Sequence, residues 1–125
     1  MILPSTVILA MDNSGARRVR CIRIYKKPGI SCATVGDMLL VIVVRLRNRG
    51  LIRVKRGEIH SCVVTRITKR VFRKKLGYFF QFDFNSVILL TKKGLPIGTR
   101  IFGPCSKELR KKGFGRIASL YPKIL

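Results

Sequence analysis

Short runs of apolar residues, rich in β-branched types, alternate along this chain with Gly, Pro and Asn punctuation. That punctuation is the pattern of a small all-β fold. It predicts strands over Thr6–Ala10, Arg18–Tyr25, Met38–Leu46, Ile59–Ile67, Tyr78–Phe82 and Ser86–Leu90. The breaks fall at Asn13-Ser14-Gly15, Pro28-Gly29, Gly36-Asp37, Asn48-Arg49-Gly50, Gly57 and Gly77. Met38 to Val44 is apolar at every position, so this strand is expected to be central, with one face in a barrel interior and the other under a loop or helix. GDMLLVIVVRL from Gly36 is echoed by GEIHSCVVTRI from Gly57: in both, a Gly-acid turn feeds a strand that ends in arginine, Arg45 or Arg66. One echo does not make a repeat protein.

After Leu90 the pattern changes. PIGTRIFGP, residues 96–104, is too rich in Pro and Gly for a regular element, yet its Ile97, Ile101 and Phe102 need apolar surroundings. It reads as a structured loop. Ser106 is then placed to cap a short helix through Glu108, Leu109, Lys111 and Lys112, with Glu108 and Lys112 at the supportive four-residue spacing and Gly113 as its stop. A further helical turn is expected over Arg116–Leu120. The architecture is a closed or nearly closed small barrel with a hairpin extension and a C-terminal helical appendage. With 125 residues, one domain is expected, barrel and hairpin in 1–95 and loop and helices in 96–125.

Charge sharpens the picture. Against 27 Lys and Arg stand only 5 Asp and Glu, a formal net charge of +22. Self-repulsion at that density disfavours a compact free monomer and implies a polyanionic partner. The cations are clustered: six in Arg17–Lys27, six in Arg45–Arg56, six in Arg66–Lys75 and five in Lys107–Arg116. Clusters spread along a chain that is 47% hydrophobic describe a folded body contacted by nucleic acid on several sides, not a solvated basic tail.

The four cysteines, Cys21, Cys32, Cys62 and Cys105, form no C-x-x-C pair and have only His60 to join them, so no metal site is expected. They read mostly as small buried apolar residues of a reducing compartment. The longest apolar run is far shorter than the ~18 residues of a membrane span, so no membrane association is expected. MILPSTVILA has no basic start and leads at once into a turn, which reads as a first strand, not a signal peptide.

Chemistry is thinly provided for. Asp12, Asp37, Glu58, Asp83 and Glu108 are scattered and mostly at turns or strand ends, where closing an Asx-turn, accepting turn amides or opening a helix suffices for them. His60, the single histidine, reads as a strand residue. No nucleotide-binding glycine motif occurs, and no enzyme activity or cofactor is expected. In DNSGARRVRC the glycine supplies a positive φ, Asn13 and Ser14 bond local backbone or a phosphate, and Arg17, Arg18 and Arg20 follow; Cys21 turns to the core. Arginine forks suit phosphates and bases. With cations on turns and strand ends and no long basic helix for a major groove, RNA is the better fit than DNA. Phe72, Tyr78, Phe79, Phe80, Phe82 and Phe84 surround the third cluster; most are expected to pack, leaving one or two free to stack on bases.

Six blocks together carry a family resemblance: DNSGARRV (12–19), VGDMLLVIV (35–43), VKRGEIHSCVVTR (54–66), FDFNSVILL (82–90), PIGTRIFGP (96–104) and KELRKKGFGRIASLYPKIL (107–125). In this order they resemble the universal large-subunit ribosomal protein L-fourteen family. The resemblance implies a mainly β fold: a small five-stranded β-barrel with a protruding β-ribbon and a short C-terminal helical region. It implies a structural constituent of the large ribosomal subunit that binds large-subunit rRNA and contributes to an intersubunit bridge with small-subunit rRNA. Neighbouring proteins of the L-three and L-nineteen families and a ribosome-silencing factor are implied partners, and a homo-oligomer is not. The rRNA-binding set on this reading is Asn13, Ser14, Gly15, Arg17, Arg18 and Arg20, then Arg45, Arg47, Arg49, Arg53, Lys55 and Arg56. It continues with Arg66, Lys69, Arg70, Arg73, Lys74 and Lys75, and closes with Arg100, Arg110, Lys111 and Lys112; Ile101, Phe102 and Leu109 are the protein-contact set.

Three departures from the family pattern stand out. Leu76-Gly77 sits where the ribbon usually turns at Asp-Gly, in a longer and more basic segment. Phe84 replaces a common glycine and calls for a different turn or a new packing partner, and Tyr121-Pro122-Lys123 replaces a usual Ala-Pro-Glu. With the Lys- and Phe-rich composition these look organellar, and the mitochondrial matrix is the expected location ahead of plastid or bacterial cytoplasm. The alternative is a free barrel-type single-stranded RNA-binding protein or chaperone that depends on its aromatics.

Overall fold

The computed structural model describes residues 2–25 and 32–125; the expected Pro28-Gly29 break and the cations Lys26 and Lys27 lie outside the described residues. Five strands close a barrel: β1 (Val7–Ala10), β2 (Ala16–Ile24), β3 (Met38–Leu46), β4 (Ile59–Arg66) and β7 (Ser86–Leu90). Neighbours run antiparallel except at the closure, where β1 pairs β7 in parallel through Leu9↔Ser86 and Ala10↔Val87. The mainly β fold expected from the sequence is present, with strand bounds within two residues of those read from it.

A two-stranded ribbon, β5 (Val71–Arg73) with β6 (Tyr78–Phe80), interrupts the passage from β4 to β7. Its first strand was hidden in a cationic run, and its tip turns where the amides of Leu76 and Gly77 both donate to the Arg73 carbonyl. After β7 come β8 (Pro104–Cys105), α1 (Glu108–Lys111), α2 (Gly115–Ser119) and β9 (Lys123–Ile124), which pairs β8 in parallel.

Strand alternation sets the core. Ile8, Val19, Cys21, Leu39, Val41 and Val43 point inward and are buried. The expectation for β3 is corrected: its outward residues Met38, Leu40, Ile42 and Val44 are only half-buried. The doubly buried strands are β7, buried at all five positions, and the second half of β4. They are covered because Ile101, Cys105, Leu109, Ile117, Ala118 and Tyr121 join the same apolar cluster, making the C-terminal region an outer layer.

Two local expectations at α1 also change. Lys107, not Ser106, is the N-cap residue, without a side-chain bond, and Ser106 contributes only its carbonyl, to the Leu109 amide. Glu108 and Lys112 do not pair with each other. Glu108 accepts from Arg73 of β5, and Lys112 Nζ lies 3.2 Å from Asp37 Oδ1 before β3. Tertiary ion pairs thus replace the helical one, tying the ribbon and the barrel to α1.

Candidate nucleic-acid interface

The turn after β1 is anchored by a buried acid. Asp12 Oδ1 accepts the Ser14 hydroxyl at 2.6 Å and the Ser14 amide at 3.3 Å, while Oδ2 accepts the Leu89 amide of β7 at 3.2 Å. Burial pushes the Asp12 carboxyl above its ordinary value, and the Ser14 and Leu89 bonds oppose that rise. The Asx-turn read from the sequence is present, with a fastening to β7 that sequence spacing did not reveal.

Gly15 then passes at φ +100, and a Cβ there would stand 2.8 Å from the Ile52 backbone Cα. Only glycine meets both demands. Its carbonyl accepts the Arg47 amide, and the Ser14 carbonyl accepts the Arg53 amide, so the turn is laced to the 47–53 loop. On its other side, Asn13 Nδ2 donates to Thr99 Oγ1 at 3.0 Å and its Oδ1 accepts the Arg100 amide at 3.0 Å. The two most distinctive sequence blocks, DNSGARRV and GTRIFGP, therefore meet face to face.

Cations ring this junction. Register shifts in β2 on either side of Arg18 bring Arg17 and Arg18 outward in succession, a break in alternation that recurs at Ile22 and Arg23 beside a third shift. Arg18 is the register partner of Arg45 across β2 and β3, and both are exposed. Arg47 Nη2 donates to the Ala10 carbonyl at 3.1 Å, and its guanidinium carbon lies 5.4 Å from the Phe102 ring centroid. A cavity of about 320 Å³ is lined by Asn13, Gly15, Arg47, Arg49, Gly50, Leu51, Arg100 and Phe102. Beside it Arg17, Arg47, Asn48 and Arg49 line an open recess of about 380 Å³. Guanidinium groups around one exposed ring offer forks to phosphates and a flat face to a base.

The remaining candidates divide by exposure. Arg20, Lys55, Arg56, Lys69, Lys74, Lys75, Arg110 and Lys111 are exposed; Arg53 is exposed while bonded to the Ile97 carbonyl, as is Arg70 while bonded to Gln81. Ser14, Gly15 and Arg66 are buried, as are Ile101 and Leu109 of the protein-contact set, and none of these offers side-chain surface to RNA or to a partner. Phe102 alone of that set is exposed. Lys112 is exposed but held by Asp37 and Thr34.

Arg66 has an internal task. At 3% exposure its Nε donates to the Pro104 carbonyl at 2.6 Å and its Nη2 to the Phe102 carbonyl, while Phe84 and Phe82 lie at 5.2 and 5.8 Å from its guanidinium carbon. Burial lowers its pKa. It clamps the GTRIFGP loop onto the end of β4, and Phe84 finds its packing partner there. Arg73 is likewise turned inward, its Nε 3.0 Å from Glu108 Oε1 and its Nη2 2.6 Å from the Leu125 carbonyl. An arginine at a strand end gives no sequence sign of whether it faces RNA or its own chain.

His60 Nε2 lies 2.9 Å from Glu58 Oε2, and this contact holds the Glu58 carboxyl below its ordinary value. Among the described residues no three His, Cys, Asp or Glu side chains converge. Cys21, Cys62 and Cys105 are buried, and burial raises all three thiol pKa values. A family model described as ribosomal protein L14p/L23e matches residues 1–125.

Proposed function

Because the chain belongs to the ribosomal protein L14p/L23e family, structural proteins of the large ribosomal subunit, we propose that the arginine-ringed junction binds rRNA and holds the protein in that subunit. One observation carries this reading: Arg18 faces Arg45 across two paired strands, with Arg17, Arg47, Arg49 and Arg100 close by. Such a like-charged array is favourable only against a polyanion. The mechanism is charge neutralisation by forks on a rigid barrel end, which positions RNA without reading its bases.

The exposed Phe102 and Arg100 of the GTRIFGP loop are the elements best placed to meet a second RNA or protein surface, including an intersubunit bridge to small-subunit rRNA. Neighbouring L-three and L-nineteen proteins and a ribosome-silencing factor are the partners this reading assigns, and the composition favours a mitochondrial ribosome. Sedimentation tests it: the chain should travel with purified large subunits at moderate salt, and Arg18→Gln/Arg45→Gln should reduce its retention as salt rises. Absence of the wild-type chain from large subunits would overturn the reading.

A further inference from the structure

We infer that the outward face of the β5–β6 ribbon is a stacking platform for an unpaired RNA strand, separate from the arginine-ringed junction. Strand alternation divides the ribbon in two. Arg73 and Phe80 turn inward: Arg73 bonds Glu108 and the Leu125 carbonyl, and its guanidinium carbon lies 4.2 Å from the Phe80 ring centroid. Phe72 and Phe79 are register partners on the opposite face, 50% and 62% exposed, with ring centroids 5.0 Å apart. Their position is fixed by the ladder, so no ordering cost remains for a base that lands on them.

The surroundings select the occupant. Arg70, held by Gln81, stands 5.8 Å from the Phe79 centroid and extends the flat surface with a cation. Phe72 also walls a cleft of about 530 Å³ between the ribbon and α1. Lys74, Lys75, Lys107 and Lys111 line that cleft, and its one acid, Glu108, is already matched by Arg73. Rings beside unneutralised ammonium groups suit bases with their phosphates, because every base has a π-face and the backbone supplies the counter-charge. A protein segment in the same place would have to bring several acids of its own. The cleft shares no lining residue with the cavity or recess at the junction, so the two surfaces fail or succeed independently.

The test uses the full chain and a short, unstructured, labelled oligoadenylate. Phe72→Leu and Phe79→Leu keep apolar bulk while removing the aromatic face, and each should weaken binding about tenfold with the salt slope unchanged. Phe79→Trp should restore affinity, and ultraviolet crosslinking should map to Phe72 or Phe79. Far-ultraviolet circular dichroism of each variant checks that the fold is retained. Wild-type affinity in both leucine variants overturns the platform. So does wild-type RNA affinity in Phe72→Ala/Phe79→Ala together with loss of a protein neighbour from the subunit, which would make the occupant a protein. Either result leaves the rRNA reading of the arginine junction standing, since that reading is tested by retention of Arg18 and Arg45 variants on large subunits.

Discussion

Arg18 of β2 and Arg45 of β3 occupy partnered positions in an antiparallel ladder, both open to solvent. Like charges placed so cost a free protein stability, by about 0.5 kcal/mol on the scale of cross-strand pairs. Arg45→Thr, which keeps a good strand former, should therefore raise the melting temperature of the isolated chain slightly. The same change should lower the slope of log affinity for rRNA against log salt by about one contact. A variant that loses stability and keeps its salt slope would contradict the assignment of this pair to RNA.

Gly15 predicts the opposite pattern. A methyl group there meets the Ile52 backbone at 2.8 Å in a left-handed conformation. Gly15→Ala should cost about 2 kcal/mol or more, combining the conformational penalty with displacement of the 47–53 loop. Urea denaturation measures it, and an unchanged midpoint would show that the loop moves freely.

Removing Arg66 should loosen the 96–104 loop before it unfolds the barrel. Arg66→Met takes away the donors to the Phe102 and Pro104 carbonyls, at a cost of about 2 kcal/mol for acceptors left inside. Limited proteolysis should then cut within residues 96–104 at protease levels that leave the wild-type chain intact.

The Arg73–Glu108 pair makes ribbon docking sensitive to acid. Partial burial, the largest single influence, pushes the Glu108 carboxyl upward, but the Arg73 bonds and charge, the backbone amide of Glu108 itself and the nearby Lys111 together hold it below the ordinary 4.5. A carboxyl lowered on folding contributes stability above its unfolded pKa and loses it as pH falls through the folded one. Stability should therefore drop below about pH 4.5, and Glu108→Gln should flatten that acid limb while lowering stability at pH 7. An acid limb of equal steepness in the variant would remove Glu108 as its source.

The barrel was legible because its strands alternate and because Gly15, Gly36 and Gly57, all at positive φ, mark its turns. The Gly36 and Gly57 echo corresponds to two equivalent turns feeding β3 and β4. Which side of the wall a polar residue occupies was not legible. Ser14 and Arg66 read as RNA contacts because turns and strand ends are usually exposed, but each is drawn inside by a partner distant in sequence or by its own Asx-turn. Glu108 and Lys112 have the spacing of a helical pair, and their real partners lie 35 and 75 residues away. For Phe72 and Phe79 the choice between packing and exposure depended on the ribbon register, which no local pattern fixes.

The closure of the barrel through β1 and β7 has a consequence for synthesis. Leu9 and Ala10 have no parallel partner until Ser86 and Val87 exist, and Asn13 must wait longer, for Arg100. Contacts between such distant parts of a chain form late and slowly. The first strand can pair with β2 early, but its β7-facing edge and the Asn13 side of its cationic turn stay open to aggregation and to stray nucleic acid until nearly the whole chain has been made.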